Sequence, residues 1–209
     1  GNIFYPHRNT LAYSEANIVA GALGAPVYWA TKHPLVTHNV VVLAAFVFAL
    51  LAAFALVRHL TGSRAAGWAA GVAFAYCPFV FARTAHMQLL MTWGLPLSLL
   101  AFHRVVDRPG PLRGLLLGLT LAATALSCAY YGIFAGLLVG LGTLYFAVAR
   151  GLWRQPRYWT AIALGALVSV GAVVPFFLPF LAVQQELGFT RTIDDAAMFS
   201  ANWQAWLTS

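Results

Sequence analysis

Residues 78–93 read PFVFARTAHMQLLMTW, a short polar break, Arg83-Thr84-Ala85-His86-Met87-Gln88, held between two long apolar runs. Ionisable groups at or near membrane depth are costly and usually line a cavity or pathway instead of facing lipid. The competing reading lets Arg83 snorkel to a headgroup and His86 cap a turn. Under either reading the chain passes from one apolar helix into another across this break.

Working outward, the first apolar run covers 35–57, including VVVLAAFVFALLAAFALV at 40–57, and the second covers 65–82. Beyond the break come 88–103, bent by Pro96, then 112–128, 130–149, and 158–181, closed by Pro175 and Pro179. A membrane-crossing helix needs roughly 20 apolar residues. The expected fold is therefore all-α: a polytopic membrane helix bundle of about six spans. The chain is 61% hydrophobic and 8% charged, whereas a soluble domain carries roughly 25% charge. Residues 1–34 hold no such run. Their Tyr5, Tyr13, Tyr28 and Trp29 suit an amphipathic segment at the membrane–water interface, with a helix starting near Ser14 and Glu15. Residues 182–209 are polar enough to begin an outer loop, so 1–209 reads as one transmembrane domain. Lacking an initiator Met and a signal-peptide pattern, it reads as a piece of a longer protein.

The net charge of +7 raises nucleic acid as a partner, but the distribution of charge argues against it. Most arginines fall in three loops, at 58–64, 104–113 and 150–157, which is the positive-inside pattern. No basic stripe is interleaved with aromatics as a nucleic-acid groove requires. These loops are expected to be cytoplasmic, with both chain ends on the outer face. There they join the Arg83–Gln88 break and a second break at Ser127–Tyr131. Four of the five acids (Glu15, Glu186, Asp194, Asp195) lie on that outer side and only Asp107 does not. The polar features thus converge on the outer face.

Small residues in 65–82 (Gly67, Ala69, Ala70, Gly71) and the series Gly132, Gly136, Gly140 predict close helix contacts. His38-Asn39 suits a helix start, and His59 and His103 are expected to be solvated. Cys77 and Cys128 sit near the outer ends of spans. A disulfide between them is geometrically conceivable, and buried free thiols are the favoured reading. There is no Walker A motif, GxGxxG strand turn, GxSxG elbow, HExxH or paired-Cys zinc spacing.

On the outer side, Tyr5-Pro6-His7-Arg8-Asn9-Thr10 and Tyr13-Ser14-Glu15 gather aromatic, cationic, amide and carboxylate groups. Arg8 is suited to a phosphate, the tyrosines to a sugar ring, and Glu15 to taking a proton from a hydroxyl. The plainer reading of Glu15 is a carboxylate favouring a helix dipole. Arg83 and His86, with Gln88 beside them, suit a lipid-linked phosphate. Ser127, Tyr130 and Tyr131 either line water or make a tight hairpin turn.

With these residues in view, the chain resembles the bacterial multispanning glycosyltransferases of the GT-C type, relatives of the dolichyl-phosphate-mannose mannosyltransferases. The stretches that carry the likeness are NIFYPHRNTLAYSE (2–15), LTGSRAAGWAAGVAFAYCPFVFARTAHMQLL (60–90), SCAYYGIF (127–134) and QELGFTR (185–191). The resemblance implies a helical enzyme of the bacterial inner membrane. It would move a sugar from a polyprenyl-phosphate donor to an outer-face acceptor. Arg8, Arg83 and His86 would stabilise the carrier phosphate, and Gln88 and Tyr13 would contact substrate. Tyr130 and Tyr131 would line the sugar pocket, and Glu15 would position or deprotonate the acceptor. In such enzymes the catalytic acid is typically an Asp soon after the first span. This sequence has no Asp before Asp107, which leaves Glu15 as the local candidate and points to an acid upstream of Gly1. No cofactor is called for. A divalent metal is compatible with the reaction, but carboxylates are too few to hold one well. The rival readings are a non-enzymatic protein that binds or moves lipid-linked glycans and a structural module of an envelope assembly.

Overall fold

A computed structural model describes residues 6, 9–15, 17–188, 192–198, 200 and 203–206. Among them every regular element is helical. Two units are described separately: residues 14–176, and residues 1–13 with 177–209.

In the larger unit the order is α1 (Ile18–Thr31), α2 (Pro34–Thr61), α3 (Arg64–Ala75), α4 (Pro78–Ala82), α5 (Met87–Leu90), α6 (Gly94–Asp107), α7 (Pro111–Ser127), α8 (Ala129–Ala149) and the start of α9 (Pro156–Leu187). Proline opens α2, α4, α7 and α9, because a first-turn N–H has no intrahelical partner to lose. The smaller unit holds a 3-10 turn at Thr10–Tyr13, the end of α9, α10 (Ile193–Met198) and a 3-10 turn at Trp203–Trp206. Within it Phe177 and Phe180 stack at 5.5 Å.

Among the described residues, four stretches are long and apolar enough to cross a membrane: Pro34–Thr61, Arg64–Ala82, Ala129–Ala149 and Pro156–Glu186. They leave large apolar side chains uncovered, such as Leu43, Val47 and Leu51 on α2 and Leu137, Leu141 and Leu144 on α8. A helix that is apolar all round belongs in lipid, and these are the helices of an integral membrane protein.

The stretch 88–103 is not one bent helix. α5 is a single turn, the chain leaves helical geometry at Met91–Trp93, and α6 begins at Gly94. Pro96 explains this. In a continuous helix its ring would meet the carbonyl of Thr92; here it occupies the first turn of α6, and that carbonyl accepts the Leu95 N–H at 3.1 Å. Residues 90–94 are all buried. Gly94 permits the close approach: a Cβ there would lie 2.5 Å from Thr124 Oγ1. The Thr124 hydroxyl pairs with Ser98 Oγ at 3.0 Å. α7, at 17 residues, is likewise shorter than the four long stretches.

Small residues set the other crossings, though not always the expected ones. A Cβ on Gly71 would come within 2.7 Å of the Leu50 carbonyl of α2, and one on Gly118 within 2.6 Å of the Gly165 carbonyl of α9. In α8, Gly132 abuts Ala125, but Gly136 and Gly140 face open space. The packed face of α8 is instead Tyr131, Ala135, Val139, Thr143 and Ala147, a four-residue ridge. The expected glycine stripe is therefore corrected to this ridge, which lies one position before it along the helix. Both cysteines are free thiols.

These contacts predict opposite outcomes for two glycine substitutions. Gly94→Ala lowers stability by about 1–3 kcal/mol through overpacking, whereas Gly136→Ala raises it slightly through helix propensity, by up to about 1 kcal/mol. Reversible unfolding of the purified protein in detergent, followed by far-ultraviolet circular dichroism, measures both.

Candidate functional site at the broken end of the bundle

Three irregular segments of the larger unit meet: the approach to α1, the α4–α5 break and the α7–α8 break. Glu15 is half-buried, and its carboxylate lies within electrostatic reach of the Ala129 amide at the start of α8. A carboxylate suits that position because the first N–H groups of a helix are unpaired and carry partial positive charge. Burial nevertheless outweighs the pull of that amide and pushes the Glu15 carboxyl above its ordinary range. Asn17 adopts a left-handed conformation with φ 49°. Its Nδ2 donates to the Glu15 carbonyl at 3.2 Å, holding the turn that aims Glu15 at α8.

Tyr131 is buried and its hydroxyl donates to the carbonyl of Leu89 at 2.9 Å. It therefore ties α8 to the end of α5 and satisfies a carbonyl that the broken helix leaves free. Cys77, Cys128 and Arg83 all lie within electrostatic reach of this tyrosine, and Glu15 within reach of Cys128. Of the polar features expected to converge, Glu15, Arg83 and the Ser127–Tyr131 break belong to one neighbourhood of the larger unit.

The other expected site residues are distributed more widely. Arg83 is exposed at the end of α4, its guanidinium 5.7 Å from the centre of the Phe79 ring. His86 is exposed at the start of α5 and its side chain does not cap that helix, while Gln88 is half-buried. Tyr130 is exposed and Tyr131 is buried. Adjacent helical residues point in different directions, so the two tyrosines do not line one pocket. Tyr13 is half-buried in the smaller unit, and Arg8 lies outside the described residues. No group of three or more His, Cys, Asp or Glu side chains suited to a metal occurs among the described residues.

An apolar groove of about 330 Å³ runs between α1, α2 and α6, lined by Val19, Leu23, Phe48, Leu51, Ala52, Ala55, Trp93 and Leu97. Trp93 shapes its floor, with Nε1 directed at Met91 Sδ at 3.3 Å and its ring edge-on to Phe48 at 6.4 Å. Nothing in the sequence pattern distinguished these residues from ordinary core.

The arginine-rich loops gather at another place in the unit. Asp107, at the end of α6, gives one oxygen to His59 Nε2 and the other to Arg150 Nη1, each at 2.9 Å. His59 is thus paired, not merely solvated as expected, and Asp107 links the ends of α2, α6 and α8. Burial alone would raise the Asp107 carboxyl, but the Arg150 and His59 hydrogen bonds together hold it below its usual range. Comparison with family models, with curated proteins and with solved structures yields no match.

The two carboxyls predict opposite pH dependences. Glu15 has a raised folded-state value, so the protonated form is favoured on folding; as pH rises from the ordinary carboxylate range towards neutrality, wild type loses stability relative to Glu15→Gln. Asp107 has a depressed value, so its contribution is present at neutral pH and disappears as pH falls below the ordinary carboxylate range. Asp107→Asn accordingly costs about 1 kcal/mol at pH 7 and flattens the acid limb. Melting temperatures of wild type and the two variants across pH 3–8 test both signs.

Proposed function

We propose that this chain is part of an integral-membrane glycosyltransferase that moves a sugar from a polyprenyl-phosphate donor to an acceptor at the outer face. The observation that carries the reading is the meeting of Glu15 with the α7–α8 break and the α4–α5 break that bears Arg83. Sugar transfer from a phosphate carrier needs a carboxylate near the acceptor and positive charge near the departing phosphate. Glu15 and Arg83 are groups of those types, and the raised carboxyl of Glu15 is the tuning a proton-accepting acid needs. The apolar groove between α1, α2 and α6 is compatible with the reading, because a polyprenyl tail wants a lipid-grade channel.

In this proposal about six segments cross the inner membrane, α5–α6 and α7 forming the two shorter passes. The arginine loops face the cytoplasm, α1 lies towards the outer surface, and both chain ends are outside. Arg83 and His86 stabilise the carrier phosphate. Gln88 and Tyr130 contact the sugar or acceptor. Tyr131 acts from behind, holding the α5 turn in place. A second reading rests on one observation: the Glu15 carboxylate lies beside the Ala129 amide, where it favours the start of α8 electrostatically. A protein that binds or moves lipid-linked glycans without chemistry would use it in that way alone.

Reconstitution of the protein in liposomes with a polyprenyl-phosphate hexose and a hydroxyl acceptor separates the two. The enzyme reading predicts hexose transfer that Glu15→Gln reduces by about 100-fold or more while carrier binding persists. Arg83→Gln should weaken carrier binding about tenfold, through loss of a charge-assisted contact. Carrier binding with no transfer by wild type would favour the second reading, and transfer unaffected by either substitution would overturn the site.

A further inference from the structure

Where the arginine-rich loops meet, the larger unit holds a cavity of about 600 Å³ lined by His59, Arg104, Asp107, Arg108, Leu112, Arg113 and Leu116. It contains three guanidinium-bearing residues and one carboxylate. Both oxygens of that carboxylate, on Asp107, are already taken by His59 and Arg150. Arg113 donates to the Arg108 carbonyl, which fixes the α6–α7 turn forming the cavity wall. Among the described residues no carboxylate pairs with Arg104 or Arg108. One wall is apolar, and it continues along α7: Leu112, Leu116 and Leu119, spaced on one helix face, are 66%, 42% and 48% exposed.

Unpaired arginines suit the oxygens of a phosphate, and an exposed leucine track beside them suits acyl chains. Basic pockets between the helices of membrane proteins hold anionic headgroups on this basis. We propose that this cavity binds the phosphate of an anionic phospholipid from the leaflet at the arginine-rich end, with Arg104 and Arg108 on the headgroup and the α7 leucines along the chains. The site is separate from Glu15 and Arg83, and its occupancy does not depend on the proposed sugar transfer. A bound lipid would compensate the charge that Asp107 leaves over and brace the junction of α2, α6 and α7.

Native mass spectrometry of the purified protein, titrated with phosphatidylglycerol, phosphatidylcholine or inorganic phosphate, tests this. Wild type should retain phosphatidylglycerol in preference to phosphatidylcholine, and millimolar inorganic phosphate should not displace it. Arg104→Gln with Arg108→Gln should weaken phosphatidylglycerol binding about thirtyfold, at about fivefold for each arginine. Arg104→Lys with Arg108→Lys should stay within a few-fold of wild type. Arg64→Gln, outside the cavity, should leave binding unchanged and serves as the control for charge alone. Equal retention of both lipids, undiminished binding by the glutamine pair, or displacement by inorganic phosphate would each overturn the proposal.

Discussion

A backbone that leaves helical geometry inside an apolar bundle must find hydrogen-bond partners within the protein, since lipid supplies none. The stretch Leu89–Trp93 is where this constraint falls hardest, because residues 90–94 are all buried. Its carbonyls and amides are met by short local bonds: Met91 N–H to Gln88, Thr92 N–H to Leu90, and Leu95 N–H to Thr92. The Leu89 carbonyl has no such local partner and takes the Tyr131 hydroxyl from α8 instead. That bond fixes α5 against α8, whose start lies within electrostatic reach of the Glu15 carboxylate. The position of Tyr131 and of the α5 turn follows from the break and its repair.

The arginine-rich end is organised by a different balance. It has an excess of positive charge, which Asp107 compensates only locally by bridging His59 and Arg150. The result is a junction of α2, α6 and α8 that is rigid at its acid and open, with cationic walls, beside it. One end thus presents a carboxylate amid irregular backbone, and the other presents arginines amid leucines.

Much of the fold was legible because apolar length and proline placement are local signals. The runs 35–57 and 130–149 correspond to α2 and α8. Helices α2, α7 and α9 begin at prolines within a few residues of the expected starts, whereas Pro78 opens α4 inside the run 65–82 that reads as continuous in the sequence. The broken third helix was less legible: Pro96 was visible, but whether it bends a helix or starts one depends on Gly94 meeting Thr124, a contact 30 residues apart. The glycine series in α8 misled for a related reason, since small residues permit close packing without requiring it. At the candidate site, the convergence of the polar segments could be read from charge asymmetry. The division of labour between Tyr130 and Tyr131, and the pairing of His59 with Asp107, could not, because both depend on which helix lies opposite.

The central claim is a bundle with two chemically distinct ends on opposite sides of a membrane. Impermeant maleimide labelling in sealed vesicles tests it most directly, using single cysteines at Thr84, Arg64 and Arg154 in a chain with Cys77 and Cys128 replaced. All three positions are exposed. The account predicts that the cysteine at 84 labels from one side of the membrane and those at 64 and 154 only from the other. Labelling of all three from the same side would contradict it.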